Sequence, residues 1–455
     1  MELSIQAEQE IAQGVVVALR RALTAVPGRE EVRFAALEGA VQSALRDVGG
    51  PCLARVLAEV GTGFVGTTRP CPCGAEQETD HYATGTWQTV VGAVTVRRAA
   101  YHCPACQATD IPLDGQVGLP ADRTSPLLRA LLSLYCAAVP FVEACWLLHK
   151  ATGLRVSAKR AQLVSEALGA QLEQAQATQI IAGPPVPRVP PLPQRLYLGL
   201  DGILYCTREQ DEQGKLLWRE AKVAVFYTPL PAGAPGTGRR SSLTTPPVPI
   251  DGADPESHSY VVHMGDWHSF AAKVWHEGLR RGIEQVRELV VLGDGAEWIV
   301  SVRQEVLDGL EARVTQILDI RHAEEHLWDV TRACLGEQEE RWITQPLEDL
   351  AQGRVDALIA AVRSLSPPTE AAAKLVATTP TYFDERRAQM DYPRFRAQGY
   401  HIGSGLAESA CKRLVGQREK GAGMHWTVAG AQAIGTLRAT ALSTRWEEVE
   451  ALAAA

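Results

Sequence analysis

Two aspartates interrupt segments that are otherwise apolar enough to form buried strands. Asp201 lies inside the segment at residues 196–206, and Asp294 ends the segment that begins at residue 289. A charge inside a buried strand costs free energy unless it is paired or bound to a metal ion. The two segments therefore predict two strands whose carboxylates share one site.

A third carboxylate lies in a predicted helix near the C-terminus. At 3.6 residues per turn, Leu406, Ala410 and Leu414 fall on the face opposite Glu408, so the glutamate points away from the apolar stripe. Lys412 stands one turn further along on the same side as Glu408, where it could contact a phosphate group. The alternative is a plain Glu–Lys pair, which contributes only about 0.2–0.5 kcal/mol.

Three carboxylates are the usual ligands of a two-metal phosphoryl-transfer site. In such a site one ion activates the attacking oxygen and the other stabilises the leaving oxygen. Mg²⁺ or Mn²⁺ prefers hard oxygen ligands, so Asp201, Asp294 and Glu408 with water and substrate suffice. Each aspartate also has an ordinary explanation: Asp201 could be a strand-end or bulge residue beside Gly202, and Asp294 could cap the helix that follows it.

Composition indicates a globular protein of several domains. Of 455 residues, 46% are apolar and 22% are charged, which is ordinary for such a chain. No run of about 18 apolar residues predicts a membrane span. The N-terminal residues are acidic and lack the basic region of a secretory signal, so we expect a cytoplasmic location.

Net charge and local charge point in different directions. The whole chain carries −8, which counts against nucleic acid as a partner. Residues 386–445, however, contain ten Lys and Arg but only three Asp and Glu, and Glu408 lies among them. A basic surface around an acidic site suits a phosphodiester substrate. A solvated helical face explains the same charges equally well.

Four of the ten cysteines come in two pairs, Cys71 with Cys73 and Cys103 with Cys106, on either side of a predicted β-hairpin. Such spacing in a protein without a secretory signal is typical of a metal site and not of disulfides. Four thiolates favour a closed, structural zinc site. The single residue between Cys71 and Cys73 is tighter than usual, and a nearby histidine, His81 or His102, could replace one ligand.

The order of predicted elements divides the chain into segments. They are an N-terminal helical region (1–68), a zinc-ribbon-like hairpin (69–120), a helix-turn-helix-like region (121–181), a Pro-rich linker (182–195), an α/β core (196–319) with a loop insertion (229–257), a helical insertion (320–400) and a C-terminal segment with the Glu408 helix and a basic tail (401–455). Within the core, strands are predicted near 196–206, 216–228, 259–264, 288–293 and 313–318, with helices near 267–282 and 295–308. The predicted fold class is therefore α/β, with a core of ribonuclease-H type.

These residues resemble a known family. Leu-Gly-Leu-Asp-Gly around Asp201, Leu-Gly-Asp-Gly-Ala-Glu-Trp around Asp294 and Gly-Ser-Gly-Leu-Ala-Glu-Ser-Ala around Glu408 look like the acidic triad of bacterial insertion-sequence transposases of the ISKra family. Those enzymes are similar to Mutator-type DDE transposases. The cysteine pairs, Gly-Ala-Gly-Met-His-Trp at 421–426 and Gly-Ala-Gln-Ala at 430–433 fit the same pattern.

The resemblance implies metal-dependent cutting of element ends and their joining to target DNA. It implies a ribonuclease-H fold with a helical insertion between Asp294 and Glu408. It also marks Asp319 and His322, in Ile-Leu-Asp-Ile-Arg-His, as a pair that supports the site or contacts a DNA strand, with His326 one turn later. Their ordinary explanation is a helix cap and a surface histidine.

On this hypothesis water attacks a phosphodiester at the element end, and the freed 3′-hydroxyl then attacks target DNA. Lys412, Arg413 and Arg418 are predicted to contact phosphates. We also expect a homo-oligomer, because two ends must be brought together.

The predicted helix-turn-helix supplies candidates for sequence recognition. Lys159, Arg160 and Gln162 open its second helix, after Ser157 as the cap, and are predicted to contact bases of double-stranded DNA. Ordinary helical packing is the alternative for that helix. Two further alternatives remain for the whole protein: a nuclease on the same fold that cleaves without joining, and a DNA-binding relic without catalytic activity.

Overall fold

The computed structural model describes residues 2–26, 33–182, 194–230, 253–336 and 339–455. Most of the predicted linker at 182–195 and of the predicted insertion at 229–257 lies outside the described residues.

The chain forms two compact units. The first consists of Met1–Leu168 with Trp446–Ala455, and the second of Gly169–Arg445. The division falls inside a continuous helix and not at the predicted Pro-rich linker, and the last ten residues belong with the first unit and not with the Glu408 segment. Helical periodicity does not change at Leu168, so the sequence carries no sign of this boundary.

Seven helices belong wholly or in part to the first unit. They are α1 (Ile5–Leu23), α2 (Phe34–Val60), α3 (Pro112–Val117), α4 (Pro126–Ala138), α5 (Phe141–Thr152), α6 (Ala158–Ala182, which continues into the second unit) and α17 (Trp446–Ala454). The prediction of helices over residues 1–60 and of three helices after residue 123 is confirmed.

The sheet of the first unit is antiparallel and has the order β1-β2-β3-β4. Its strands are β1 (Thr68–Pro70), β2 (Glu76–Thr89), β3 (Gly92–His102) and β4 (Thr109–Asp110). Helix α2 packs against β3 through two glycines: a Cβ on Gly50 would lie 2.5 Å from the carbonyl oxygen of Ala93, and one on Gly49 would lie 2.6 Å from that of Val91. The long hairpin predicted with its turn at Gly92 is therefore present and backed by a helix.

Helices α4, α5 and α6 share one apolar core. It contains Leu128 and Leu132 from α4, Leu148 from α5, and Ala161 and Val164 from α6. Helix α5 ends at Gly153, whose φ of 80° lies in the left-handed region that favours glycine. Ser157 then caps α6, because its hydroxyl accepts a hydrogen bond from the amide of Arg160.

The second unit contains a mixed five-stranded sheet with the order β7-β6-β5-β8-β9. Its strands are β5 (Arg195–Gln210), β6 (Leu216–Tyr227), β7 (Ser259–His263), β8 (Glu288–Gly293) and β9 (Arg313–Leu318). The first three strands run antiparallel to one another, and β8 and β9 run parallel to β5. All five strands lie where the sequence predicted them, although β5 extends further than expected.

Two helices of the second unit, α7 (Trp267–Arg280) and α8 (Glu297–Leu307), lie between strands of its sheet. The helices that follow its last strand are α9 (Ile320–Leu335), α10 (Glu339–Ala351), α11 (Val355–Arg363), α12 (Glu370–Glu385), α13 (Tyr392–Ala397), α14 (Gly405–Cys411), α15 (Gln417–Glu419) and α16 (Val428–Leu442), with a π-helical turn at Lys412–Gly416. Helices α9 to α13 lie in the segment 320–400, which was predicted as a helical insertion between Asp294 and Glu408.

One face of the sheet packs on α7 and α8. Leu196, Leu198 and Leu200 of β5 join the same buried cluster as Phe270 of α7 and Ile299 of α8. Because side chains alternate along a strand, Asp201 lies on the opposite face. That face is the one on which α14 packs.

Within the part of the chain that the structure describes, no helix combines the length and the apolar character needed to cross a membrane.

Candidate functional site

Neighbouring parallel strands bring Asp201 and Asp294 to the same level of the sheet. Gly199 of β5 pairs with Leu292 of β8. Two residues further on are Asp201 in β5 and Asp294 immediately after β8. Adjacent strands lie about 4.8 Å apart, so the two carboxylates leave the sheet side by side.

Neither ordinary explanation accounts for these aspartates. Asp201 pairs with Val223 in regular register, so it is neither a strand end nor a bulge. Helix α8 has Ala296 as its cap residue, so Asp294 does not cap it; instead Asp294 Oδ1 accepts a hydrogen bond from the amide of Ala296 at 2.9 Å.

The carboxylate of Asp201 is surrounded by like charge. Burial and, after it, the charges of Asp294 and Glu408 raise its pKa to about 6, although hydrogen bonds from the Gly202 amide and the Cys411 thiol oppose the shift. The structure thus places all three predicted carboxylates within electrostatic reach of one another.

Helix α14 delivers Glu408 to the same place. Its close approach to the sheet depends on Gly199, because a Cβ there would lie 3.1 Å from the Cβ of Ala407. Leu406, Ala410 and Leu414 are buried and Glu408 is exposed, as the helical periodicity predicted. Burial raises the pKa of Glu408, and the charge of Asp319 adds to that shift.

An open groove of about 470 Å³ runs past these groups. Its lining consists of Asp201, Gly202, Ile203, Glu408, Cys411, Lys412, Gly416, Gln417 and Lys420. The groove therefore combines two carboxylates with two lysines, which suits an anionic substrate held beside a bound cation.

Hard oxygen ligands fit Mg²⁺ or Mn²⁺, and their spacing bears on the number of ions. Ligand oxygens around one Mg²⁺ lie no more than about 4.2 Å apart, at about 2.1 Å from the ion. Among the described residues, the cysteine cluster is the only group of three or more metal-binding side chains whose ligand atoms all lie within 4.8 Å of one another. The ligand oxygens of the three carboxylates therefore do not all lie within 4.8 Å of one another in this structure.

Asp319 lies near this site and does not line the groove. It follows β9, is almost fully buried and caps α9 by accepting from the amide of Arg321. Its other oxygen accepts from the amide of Ser404 at 3.0 Å and from the Ser404 hydroxyl. Asp319 thus caps α9 and ties the end of the sheet to the residue before α14; its role at the predicted site stays a prediction.

His322 and His326 lie one turn apart on α9, with ring centroids 4.9 Å apart. His322 pairs with Glu325 at 3.4 Å, and its charge opposes the raised pKa of Glu408. The ring of His326 lies 4.0 Å from that of Tyr382. Both histidines therefore face the neighbourhood of the carboxylates.

Two of the three predicted phosphate contacts need correction. Lys412 is exposed and lines the groove. Arg413 instead donates to the hydroxyl of Tyr260 at 2.9 Å, and Arg418 is fully buried beside Trp426. An arginine in the interior cannot reach DNA from this conformation.

The count of basic residues in 386–445 likewise overstates the basic surface. Arg418, Arg438 and Arg445 are buried. The sequence could not reveal this, because buried and exposed arginines alternate within the same helical segments.

Lys420 is a groove residue that the sequence reasoning missed. It follows Glu408 by twelve residues, and the π-helical turn at Lys412–Gly416 shifts the phase of the helix between them. Cys411 was also missed, since a small residue on the apolar side of a helix gives no functional signal.

The predicted recognition residues of α6 differ in availability. The guanidinium of Arg160 donates to the carbonyl of Asp122 and to the hydroxyl of Thr124, and base contact by Arg160 stays a prediction. Gln162 donates to Glu166 at 2.8 Å. Lys159 is exposed, and for Lys159 base contact stays a prediction.

The four paired cysteines converge in the first unit. Cys71 and Cys73 lie in the turn between β1 and β2, and Cys103 and Cys106 lie in the turn between β3 and β4. The Sγ atoms of Cys71 and Cys106 are 3.6 Å apart and those of Cys73 and Cys103 are 3.7 Å apart. A tetrahedral zinc site with bonds of about 2.3 Å has sulfur–sulfur edges of about 3.8 Å, so these residues fit zinc.

Backbone amides favour the thiolate form at one of these ligands. The amide of Cys106, and then that of Ala105, lowers the pKa of Cys103 to about 6 although burial opposes the shift. The two histidines considered as substitutes are not part of the cluster: His81 pairs with Asp80 at 2.8 Å, and His102 faces Thr109. The single residue between Cys71 and Cys73 does not prevent convergence.

No family model matches this sequence, and no curated protein matches it.

We predict that the purified protein carries about one zinc ion per chain at the four cysteines. Cys103→Ser should remove the zinc and lower the melting temperature of the first unit, since the ligand turns join all four strands. Zinc is measured by atomic emission and stability by circular dichroism. Cys145→Ser, at a half-buried cysteine outside the cluster, is the matched control and should keep the metal. A full zinc content in Cys103→Ser would reject the site.

We predict that Asp201→Asn stabilises the metal-free protein at neutral pH. The pKa of Asp201 is about 6 in the folded protein against an ordinary 3.8. The folded state therefore binds the proton of Asp201 more tightly than the unfolded state does. The stability that this proton contributes is fully present below pH 3.8 and is lost as pH rises through about 6. Above pH 6 the variant should gain about 3 kcal/mol in unfolding free energy.

Urea titrations in chelator at several pH values measure this difference. The gain should be absent below pH 3.8, where Asp201 is protonated in both states. Glu284→Gln, at an exposed carboxylate outside the groove, should show no such pH-dependent gain. If Asp201→Asn were less stable than the wild type at pH 8, the claim that the ionised Asp201 carboxylate destabilises the folded protein would be wrong.

Proposed function

We propose that the second unit is a ribonuclease-H-like core and that the protein is a DNA transposase that cuts element ends and joins them to target DNA. The strand order, numbered within this unit, is 3-2-1-4-5, with three antiparallel strands followed by two parallel ones. The observation that carries the proposal is the convergence of Asp201, within β5, and Asp294, just after the neighbouring parallel strand β8, with Glu408 from a helix.

Asp201, Asp294 and Glu408 would hold two Mg²⁺ or Mn²⁺ ions. Such ions supply activation of the attacking oxygen and neutralisation of the charge that develops on the leaving oxygen. The chain itself contributes placement: the parallel register fixes the aspartates, and the close approach at Gly199 fixes the helix that carries the glutamate. Positioning of this kind accounts for most of phosphoryl-transfer catalysis.

The reaction is two successive displacements at phosphorus. In the first, water forms a bond to phosphorus and the bond to a 3′-oxygen breaks, which leaves a 3′-hydroxyl on the element end. In the second, that hydroxyl forms a bond to a target phosphorus and displaces another 3′-oxygen. Lys412 and Lys420 line the groove and would neutralise the phosphates on either side of the reacting bond.

Double-stranded DNA is the proposed partner of both units. The exposed Lys159 at the start of α6 is the residue we propose for contacts to the element end. The protein would then act on chromosomal DNA in the cytoplasm. This part of the proposal rests on the helix-turn-helix arrangement and on the resemblance of the sequence motifs.

We also propose that the protein acts as a homo-oligomer. Phe34, Leu37, Val41 and Leu45 are exposed and follow one another at spacings of three and four residues, so they form an apolar stripe along α2. A second copy of α2 could cover this stripe in the manner of a coiled coil. Joining two element ends requires two active sites, which is the functional reason for pairing.

Neutral variants of the triad test the proposed chemistry. The substrate is a labelled duplex that carries the DNA flanking the gene on both sides, and the target is a supercoiled plasmid. We expect wild-type protein with Mg²⁺ to cleave and join, and Asp201→Asn, Asp294→Asn and Glu408→Gln each to lose at least about 100-fold in rate. Glu284→Gln is the control and should keep full activity.

Each outcome assigns a function. Cleaved ends that never become linked to plasmid would make the protein a nuclease on this fold. Wild-type cleavage by all three variants would place the chemistry elsewhere. Binding to the duplex without cleavage would indicate a DNA-binding relic.

Pairing through α2 is tested by charge on the stripe. The double variant Leu37→Lys/Val41→Lys should sediment as a monomer in analytical ultracentrifugation, where the wild type sediments as an oligomer. Val142→Lys alters an exposed apolar residue of α5 and should leave the oligomer intact. An oligomer that survives the double variant would show that another surface pairs.

A further inference from the structure

The loop that carries Asp294 is bound by side chains from a distant part of the chain, around the end of α12. After β8 the chain turns at Gly295, whose φ of 81° lies in the left-handed region that favours glycine, before α8 begins. Asp294 uses one carboxylate oxygen to accept from the Ala296 amide. The position of its side chain therefore depends on the backbone of these few residues.

Two residues around the end of α12 bind this backbone directly. The hydroxyl of Tyr382 donates to the carbonyl of Asp294 at 3.2 Å. Arg386 donates to the carbonyl of Gly295 twice, from Nε at 3.1 Å and from Nη2 at 2.7 Å. Both carbonyls of the loop are thus satisfied by side chains that lie about ninety residues later in the sequence.

The contact is tightly packed. The side chain of Arg386 is 13% exposed, and its guanidinium lies 4.3 Å from the ring centroid of Tyr382. A Cβ on Gly295 would lie 2.6 Å from Arg386 Nε and 2.9 Å from a methyl group of Leu318. Arginine and tyrosine therefore fit this one conformation of the loop.

Tyr382 also connects the loop to α9. Its ring lies against that of His326, on the helix that Asp319 caps, and Asp319 in turn holds Ser404 at the start of α14. One chain of contacts thus runs from the Asp294 loop to the helix of Glu408. Hydrogen bonds that orient metal ligands are worth about 10–100-fold in metal affinity or activity.

We propose that Arg386 and Tyr382 are positioning residues that set the carboxylate of Asp294 for binding of the divalent metal. Neither residue touches the reacting atoms; both act through the backbone of the Asp294–Gly295 loop. The inference rests on the proposed function only in that Asp294 is a metal ligand. Metal binding, measured without DNA, therefore tests it separately from catalysis.

The test compares three variants by titration calorimetry of the intact, zinc-loaded protein with Mn²⁺. Arg386→Lys keeps the charge but loses the two-pronged contact with the Gly295 carbonyl, and should weaken Mn²⁺ binding by about 10–100-fold. Tyr382→Phe keeps the ring and loses one hydrogen bond, and should weaken it by about 2–10-fold. Arg387→Lys is the matched control, because Arg387 pairs with Asp356 and Asp384 and makes no contact with the loop.

A second measurement separates positioning from general damage. The Mg²⁺ concentration for half-maximal cleavage should rise by the same factor as the Mn²⁺ dissociation constant, and saturating metal should restore the rate of Arg386→Lys. Tyr382→Phe provides the same test should Arg386→Lys fail to fold.

The outcomes for the two proposals differ. The inference would be overturned if folded Arg386→Lys and Tyr382→Phe bound Mn²⁺ with wild-type affinity. It would also be overturned if Asp294→Asn bound Mn²⁺ as tightly as the wild type does. Mn²⁺ binding that depends on Asp294, Arg386 and Tyr382 without any cleavage of DNA would support the inference and reject the transposase.

Discussion

Crowding of negative charge where Asp201 of β5 lies beside Asp294, just after β8, is the constraint on which the rest of the second unit depends. Burial of Asp201, and after it the charges of Asp294 and Glu408, raises the pKa of this carboxyl to about 6. The Gly202 amide and the Cys411 thiol each donate a hydrogen bond to it, but neither brings a positive charge. Folding thus maintains an electrostatic cost that a bound cation would reverse.

Three structural features keep the carboxylates of Asp201, Asp294 and Glu408 together although their charges repel one another. The parallel pairing of β5 and β8 fixes the aspartates side by side, and Gly199 lets α14 approach the sheet. Asp319 joins the end of β9 to Ser404, just before α14. None of these features uses a side chain of the triad itself, so the three carboxylates stay available for ligands.

Periodicity predicted the elements well and the long-range contacts poorly. The five strands, the hairpin around Gly92 and the outward orientation of Glu408 follow from local patterns of two and 3.6 residues. The burial of Arg418, the engagement of Arg160 by the chain before α4 and the hold of Arg386 on the Asp294 loop do not. Each of these contacts joins residues that are far apart in the sequence. The local spacing of residues in a single sequence does not predict which distant residues come into contact.

The two candidate metal sites differ in what the protein must do with the ion. Four cysteine sulfurs at tetrahedral spacing leave no position for a substrate, so a zinc ion there can only join the four strands of its sheet. The ligand oxygens of the carboxylates are not all within 4.8 Å of one another, and Asp201 and Glu408 line an open groove with two lysines. A site of that kind is completed by an anionic ligand, because phosphate oxygens supply the ligands that three carboxylates leave missing. On the proposed function, the crowding of charge that makes the acidic site costly without metal would also couple metal binding to the arrival of a phosphodiester.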